Sequence, residues 1–176
     1  MSTIRLIGAD EAEARIDELA DVLVDCVEGG ASVGFLSPYG PADAGAYWRG
    51  VAAAVAGEAT LLFVAEDEGR IVGTVQLGIG LPPNQPHRAD LKKLLVLKAA
   101  RGRGHAKALM AAAEAEAFAR GRTVLVLDTA TGSPAEAIYA RLGWSRVGVI
   151  PDYALYPDGS FCATTLFFKR LGESGM

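Results

Sequence analysis

The fold of this chain is decided by one stretch, residues 94–106, which reads LLVLKAARGRGHA. Its four leading apolar residues predict the end of a buried strand, and the alanine-rich sequence beyond it predicts a helix. Gly102 and Gly104 lie between the two and permit a tight turn. A helix that begins after such a turn has unpaired backbone N–H groups, which together with the helix dipole favour an anion. The stretch therefore predicts a phosphate-binding turn.

Cations surround this turn. Between residues 88 and 107 there are seven of them and one acid, Asp90, so the window carries +6 in a chain whose net charge is −4. A run of charges is usually a solvated face, but these flank a junction that already favours an anion. We predict that the backbone N–H groups of residues 103–106 hold a pyrophosphate, with Arg101 and Lys98 as electrostatic support.

Two common phosphate-binding motifs do not fit the turn. A Walker loop ends in Gly-Lys-Ser/Thr, and no such ending follows Gly104. The dinucleotide fingerprint needs Gly or Ala at the position of Lys107. Neither class of nucleotide-binding protein is therefore predicted from this turn.

Composition limits the class of protein further. The chain has 176 residues, of which 51% are apolar and 22% charged, as expected for one folded domain spanning residues 1–176. A disordered chain would have fewer aliphatic residues and more charge. A net charge of −4 disfavours a nucleic-acid partner.

Metal and membrane sites are not predicted. The two cysteines, Cys26 and Cys162, are too few and too far apart for a disulfide framework or a zinc site. The N-terminus lacks the apolar stretch of a signal peptide, and no window is long and apolar enough for a membrane span. We expect no metal, no membrane contact and a cytoplasmic location.

The periodicity of apolar residues predicts a mixed α/β domain in the order α-α-β-β-β-α-β-α-β-β. Asp10 and Glu13 predict the start of the first helix, which Gly29 and Gly30 end. Further helices are predicted at 43–56, 104–120 and from 133 to about 143. Strands are predicted at 60–65, 71–79, 90–97, 123–127, 145–150 and 163–169.

The turn resembles a family signature. Arg101-Gly102-Arg103-Gly104-His105-Ala106 resembles the Gln/Arg-x-x-Gly-x-Gly/Ala motif of the GNAT superfamily of acyl-CoA-dependent N-acyltransferases. Residues 94–97 look like that family's central strand, and residues 135–144 resemble its second cofactor motif. The resemblance implies a mixed central sheet that is flanked by helices and splayed at the acyl-CoA site. It also implies acetyl-CoA as cosubstrate.

A narrower resemblance concerns the acceptor. Residues 29–35, 127–129 and 157–159 look like the tabtoxin-resistance acetyltransferases, which implies a small amino-acid-like amine or toxin as substrate. Two positions depart from the wider family. Lys98 replaces a frequent proline, and Gly132 with Ser133 replaces a frequent asparagine, which affects an expected side-chain contact to pantetheine.

The family mechanism assigns a task to each part of the site. The pantetheine amides would pair with the backbone near Leu95 and Val96, and the N–H of Val96 or Leu97 would stabilise the thioester oxyanion. The cofactor-binding residues are then predicted to be Leu95, Val96, Leu97, Lys98, Arg101, Gly102, Arg103, Gly104, His105, Ala106, Ser133 and Tyr139.

Three side chains are candidates for proton transfer. Tyr139, whose ordinary pKa is about 10, would protonate the departing sulfur; alternatively it only packs in the core. Asp128 would bind the substrate ammonium or accept its proton, or else cap the turn after its strand. Asp90 is a second candidate for the base.

Other classes of function remain open from the sequence. A non-catalytic acyl-CoA-binding module would keep the phosphate turn, and a nucleotide-binding protein would explain the cations but not the second motif. The acceptor could be a small molecule or a protein or peptide amine. The chain could act as a monomer or a homodimer.

Overall fold

The computed structural model describes residues 2–172, in which seven strands form one mixed sheet in the order β1-β2-β3-β4-β5-β7-β6. The strands are β1 Ser2–Ile7, β2 Thr60–Asp67, β3 Arg70–Gly78, β4 Arg88–Val96, β5 Val124–Ala130, β6 Ser145–Leu155 and β7 Phe161–Arg170.

Within residues 2–172, five α-helices cover the two faces of the sheet. They are α1 Ala9–Ala14, α2 Ile16–Glu28, α3 Pro41–Ala56, α4 His105–Ala119 and α5 Pro134–Arg141, and a short 3₁₀ turn occupies Lys98–Ala100. One core contains buried residues of α1, α2 and α3, and the other contains those of α4 and α5. The predicted mixed α/β class is confirmed. None of the helices within residues 2–172 is long and apolar enough to cross a membrane.

One strand pair differs from the others. β4 and β5 are parallel, whereas every other neighbouring pair is antiparallel. Their pairing joins Arg88–Asp90 to Val124–Val126 and goes no further, although both strands continue. The sheet is therefore splayed between these strands, as predicted.

The N-terminal strand is the largest departure from the sequence prediction. β1 pairs with β2 along its whole length, yet of its six residues only Ile7 is buried. A strand on the edge of a sheet with so little burial has no clear apolar alternation, so its sequence does not indicate it. The predicted helix start was also wrong: Gly8 is the N-cap, and Asp10 lies in the first turn of α1.

Other elements are longer than predicted. β5 continues to Ala130, so Asp128 lies inside the strand, and β6 continues to Leu155. β4 ends at Val96, which leaves Leu97 outside it. The predicted cap of α5 is confirmed, because the Ser133 hydroxyl accepts the N–H of Glu136 at 3.3 Å.

An ion-pair network ties the N-terminal segment to the sheet. Glu66 on β2 is nearly buried and contacts the guanidinium groups of Arg5 and Arg15. Arg15 interrupts the helix between α1 and α2, and it also binds Glu18 at 2.9 Å and the Gly69 carbonyl. Burial acts to raise the pKa of Glu66, but the ion pairs with Arg15 and Arg5 outweigh it and hold the pKa below its ordinary value.

Glu66→Gln is expected to lower the free energy of unfolding by about 2 kcal/mol at pH 7, because it leaves two guanidinium groups without their shared carboxylate. A carboxyl with a lowered folded pKa adds stability above its unfolded pKa, and this is lost as pH falls through the folded value. The difference in the free energy of unfolding between wild type and Glu66→Gln should therefore become smaller below about pH 4.5. Urea unfolding at several pH values measures it.

The matched control is Glu116→Gln, which removes an exposed helical pair with Arg120. Such pairs contribute only about 0.5 kcal/mol or less, so this variant should unfold almost like wild type at every pH. A difference between wild type and Glu66→Gln that stays constant down to pH 3 would contradict the role of the carboxylate charge.

Candidate active site

The turn before α4 has the backbone that the glycines predict. Gly102 has φ +77° and Gly104 has φ +84°, both in the left-handed region. A Cβ at either position would have nothing within 4 Å, so open space lies in front of both residues. Gly104 is the N-cap of α4 and provides no side-chain cap, and the first helical turn contains no acid. The first N–H groups of α4 therefore keep their capacity to bind an anion.

The cations at the turn differ in what they contact. Arg101 donates from Nε to the Val96 carbonyl at 3.0 Å and directs Nη2 to the sulfur of Cys26 at 3.8 Å. Arg103 is exposed and pairs with Asp67 at 3.1 Å. The backbone N–H of Lys98 donates to the Asp25 carboxylate at 2.7 Å. Arg101 thus joins the end of β4 to the turn, while Arg103 lies on the solvent side.

The His105 imidazole supports the turn by packing against β1. Its ring is only 3% exposed, and Nδ1 lies 3.0 Å from the Ser2 hydroxyl on β1. The Nε2 atom is buried, and no hydrogen-bond partner for it lies among the described residues. The ring is therefore part of the packing, and only the backbone of His105 can serve the phosphate turn.

The two N–H groups predicted as oxyanion donors are not equivalent. The N–H of Leu97 already donates to the Val72 carbonyl at 2.9 Å, so Leu97 is not the oxyanion donor and Val96 remains of the two alternatives. Successive N–H groups along a strand point to opposite edges. The N–H of Val96 therefore points away from β3, towards the gap between β4 and β5.

A bulge interrupts β4 beside this gap. Thr74 on β3 faces Leu95, whereas Gln76 faces Lys92, so the single residue between them is opposite both Lys93 and Leu94. Lys93 has φ +55°, a conformation that is uncommon for a residue with a side chain. An extra residue in a strand places two neighbours on one face.

The bulge changes the face to which β4 presents its side chains. Before it, Leu91 packs in the core beneath α4; after it, Leu95 packs in the core beneath α2 and α3. Lys92 and Lys93 are consecutive, yet the shift places both on the α3 face. An unbroken strand would instead direct Lys93 into the core beneath α4.

Lys93 is half-buried against residues of the loop between α2 and α3 and of α3 itself. Its Nζ donates to the Val33 carbonyl at 2.6 Å and lies 5.6 Å from the ring centre of Phe35 and 5.7 Å from that of Tyr47. Burial lowers the pKa of the ammonium below the usual lysine value, and the charge of Lys92 acts in the same direction. The charge of Asp128 opposes them.

Asp128 lies on the same side of the sheet as Lys93. Its neighbour Leu127 packs in the core beneath α4, so strand alternation directs Asp128 to the opposite face, where it is exposed. Its Oδ2 accepts a hydrogen bond from the Thr164 hydroxyl at 2.9 Å. Thr164 on β7 thereby orients the carboxylate.

Tyr139 on α5 is 5% exposed. Its ring centre lies 5.8 Å from that of Phe167 and 6.1 Å from that of Trp144. Burial raises the pKa of the phenol well above its ordinary value, and the charge of Asp128 raises it further. The hydroxyl is therefore protonated at neutral pH, as a proton donor must be.

Asp90 and Ser133 have contacts within the protein. The Asp90 carboxylate is paired with Arg88 two residues earlier, at the last position where β4 pairs with β5. The Ser133 hydroxyl caps α5, and the Glu136 carboxylate accepts the N–H of Gly132 and the hydroxyl of Thr165. Among residues 2–172, no group of three or more His, Cys, Asp or Glu is arranged to hold a metal ion.

Sequence reasoning missed three contributors to the site. Thr164 orients Asp128, the Asp25 carboxylate accepts the N–H of Lys98, and Lys93 lies on the same face of the sheet as Asp128. Thr164 and Asp25 lie far from their partners along the chain. The adjacent pair Lys92–Lys93 in a predicted strand was the one signal, because it breaks the alternation expected there.

The candidate site thus combines a sheet that is splayed between β4 and β5 with an uncapped helix terminus, in a mixed α/β domain. The chain belongs to the acetyltransferase (GNAT) family, which matches residues 17–144. It is 35% identical over 115 residues to an uncharacterized N-acetyltransferase in the hisH-hisA intergenic region of Azospirillum brasilense, covering 64% of this chain and 67% of that protein.

Solved structures share the fold. An N-acetyltransferase from Staphylococcus aureus Mu50 is 18% identical, with a TM-score of 0.79 over 98% of this chain and 99% of that chain. The protein yncA from Salmonella typhimurium, solved with its cofactor acetyl-CoA, is 18% identical, with a TM-score of 0.77 over 99% and 96%. The family match confirms the predicted GNAT family and the predicted class of enzyme, an acyltransferase.

Gly104→Val is expected to weaken acetyl-CoA binding at least tenfold, because its side chain would fill the open space before the N-terminus of α4 and strain a left-handed residue. Lys107→Ala should change the dissociation constant only a few-fold, since an exposed cation contributes about 1 kcal/mol or less. Isothermal titration calorimetry measures both.

Gly121→Val is the control for strain alone, because Gly121 also has a positive φ (+73°) and open space but lies after the other end of α4. It should lower the melting temperature about as much as Gly104→Val while leaving acetyl-CoA binding near wild type. Equal losses of binding in Gly104→Val and Lys107→Ala would show that charge, not backbone geometry, holds the phosphate.

Proposed function

We propose that this protein transfers the acetyl group of acetyl-CoA to the primary amine of a small molecule. The observation that carries the proposal is the separation of β4 from β5 after Asp90. The chain continues from the end of β4 to the uncapped N-terminus of α4. The gap has an anion site at one end and an exposed carboxylate, Asp128, in its wall. A thioester with a long pyrophosphate-bearing arm fits such a gap.

The donor would be held by backbone groups. The N–H groups at the start of α4 would bind the pyrophosphate, with Arg101 and Lys98 adding positive charge. Beyond Asp90, the edge of β4 that faces β5 has no strand partner. The amides of pantetheine can therefore add to this edge near Leu95 and Val96 as an extra strand would.

The chemistry follows from this placement. The neutral amine attacks the thioester carbonyl carbon, and the N–H of Val96 stabilises the oxyanion that forms. The carbon–sulfur bond then breaks, the sulfur takes the phenolic proton of Tyr139, and the nitrogen loses its proton to Asp128. The products are the acetylated amine and CoA, and the two side chains exchange protons with solvent to restore the site.

Asp128 is preferred to Asp90 as the group that receives the amine. Asp128 is exposed on the acceptor face and oriented by Thr164, whereas Asp90 is neutralised by Arg88. Asp128 could bind the ammonium before reaction or remove its proton, and both roles need the same position. The Asp90 carboxylate is already occupied by Arg88, so Asp90 has at most a secondary part.

The acceptor is proposed to be small and amino-acid-like, possible toxins and antibiotics included. Three contacts of the loop between α2 and α3 support a confined acceptor side. The Ser37 N–H donates to the Pro157 carbonyl at 2.9 Å, the Ser32 hydroxyl donates to the Leu155 carbonyl at 3.1 Å, and the Val33 carbonyl holds Lys93. The loop is thus fastened to the β6–β7 hairpin and to β4, which leaves less room for a protein chain than for a small amine.

The proposal is tested by thiol release from acetyl-CoA in the presence of amine panels, with the products identified by mass spectrometry. Amino acids, polyamines, aminoglycosides and peptides with free amines form the panels. Turnover with small amines supports the proposal, and turnover with peptides alone would identify a peptide amine acetyltransferase. Tight acetyl-CoA binding without any turnover would indicate a non-catalytic acyl-CoA-binding module.

Tyr139→Phe is expected to lower kcat by about 10²–10⁴, the range for loss of a positioned proton donor. The ring and its contacts with Phe167 and Trp144 stay, so the Kd for acetyl-CoA and the melting temperature should change little. Tyr153→Phe removes a hydroxyl from an exposed ring on β6 and should turn over like wild type. A near-normal kcat in Tyr139→Phe, measured where chemistry limits the rate, would assign the tyrosine to packing.

Asp128→Asn is expected to lower kcat/KM for the amine about 10²-fold and to leave the Kd for acetyl-CoA unchanged. A rise in KM alone would assign ammonium binding, and a changed acidic limb of the pH–rate profile would assign proton removal. Asp90→Asn should have a smaller effect because its carboxylate is already paired. The assignment fails if Asp90→Asn costs more than Asp128→Asn.

A further inference from the structure

Lys93 carries a charge that the described chain does not neutralise. Its Nζ donates to the Val33 carbonyl, but within residues 2–172 no Asp or Glu oxygen lies within 4 Å of it. A half-buried ammonium costs free energy unless an anion accompanies it. An ammonium has three donors, so it can bind a further acceptor group besides the Val33 carbonyl.

The neighbours of the ammonium restrict where that acceptor can come from. The rings of Phe35 and Tyr47 and the backbone of Val33 border Nζ on the side of the α2–α3 loop and of α3. Asp128 is close enough for its charge to raise the pKa of the ammonium. The bulge places Lys93 on the same face of the sheet as Asp128, next to the place where β4 leaves β5.

The backbone holds Lys93 in this position at a cost. Its φ of +55° is unfavourable for a side-chain-bearing residue, and such residues concentrate at sites where geometry serves binding. The Thr74 hydroxyl donates to the Lys93 carbonyl at 3.1 Å and so stabilises the bulge. Because of the bulge, Lys93 lies on the same face of the sheet as Asp128 and not in the core beneath α4.

We propose that Lys93 binds a carboxylate of the acceptor while Asp128 receives its amine. A cation and an anion on one face match the two charges of a zwitterion, which an amine without a carboxylate could not satisfy. The inference rests on the proposed function and names its substrate class: small amines that carry a carboxylate. Lys93 would then determine specificity without taking part in the transfer of the acetyl group.

The test compares pairs of acceptors that differ only in the carboxylate. Free α- and ω-amino acids are each paired with the corresponding amide, and kcat/KM is measured for both members with wild type and variants. The acid and the amide of a pair differ in the pKa of their amine as well as in the carboxylate. This difference is the same for every protein variant, so it cancels when the acid-to-amide ratio of kcat/KM is compared between variants. Calorimetric binding of the same compounds reports the carboxylate contact whether or not turnover occurs.

Lys93→Met is expected to lower the acid-to-amide ratio at least tenfold, as expected for loss of a hydrogen bond between charged groups. Lys93→Arg should keep most of the preference. Lys92→Met removes the same charge from the adjacent, exposed position and should keep the wild-type ratio. Melting temperature and acetyl-CoA binding are recorded for each variant.

Three results would overturn the inference. Lys93→Met could lower kcat/KM equally for acids and amides, which would make Lys93 an anchor for the loop that contains Val33. Lys92→Met could change the acid-to-amide ratio as much as Lys93→Met, which would indicate that the positive charge of this region, and not a contact with Lys93, favours the carboxylate. Wild type could bind and acetylate amides and acids without preference. Absence of acetyl-CoA binding would instead refute the proposed function, and amino-acid binding by calorimetry would still decide the role of Lys93.

Discussion

The structure depends on one interruption in its hydrogen bonding: β4 and β5 stop pairing after Asp90 and Val126. Backbone N–H and C=O groups are strong hydrogen-bonding groups that are rarely left without partners. An edge in the middle of a sheet is therefore a binding surface for another extended backbone. The amides of pantetheine have that chemistry, and in the proposed function the N-terminus of α4 would bind the phosphates at the end of that arm.

The interruption also determines what can be a catalytic group. Beyond it, the Val96 N–H points into the gap, while the Leu97 N–H is used by Val72. Asp128 lies on β5 beyond Val126, the last residue that pairs with β4, and it is exposed. Asp90 is the partner of Val126 in that last pair and is neutralised by Arg88. The divergence of β4 and β5 thus leaves the Val96 N–H and the Asp128 carboxylate available, whereas the Leu97 N–H and the Asp90 carboxylate are bonded within the fold.

The site is supported by parts of the chain that are remote from it. His105 begins α4, and its ring contacts Ser2 on β1, so the edge strand packs beneath the phosphate turn. Arg103 pairs with Asp67 at the end of β2, and β1 is tied to β2 through Glu66. The N-terminal segment therefore helps to position the turn.

The sequence by itself determined the turn at residues 94–106, the cap at Ser133 and the α/β class. Each of these is produced by neighbours along the chain: glycines that accept positive φ, a serine three residues before the N–H it caps, and apolar periodicity. Only the tertiary structure decided that β1 is a strand, that Thr164 orients Asp128 and that Lys93 lies on the same face of the sheet as Asp128. These features arise from strand pairing and register between distant segments. A local pattern does not specify either one; the adjacent pair Lys92–Lys93 indicates only that the alternation of its strand is broken.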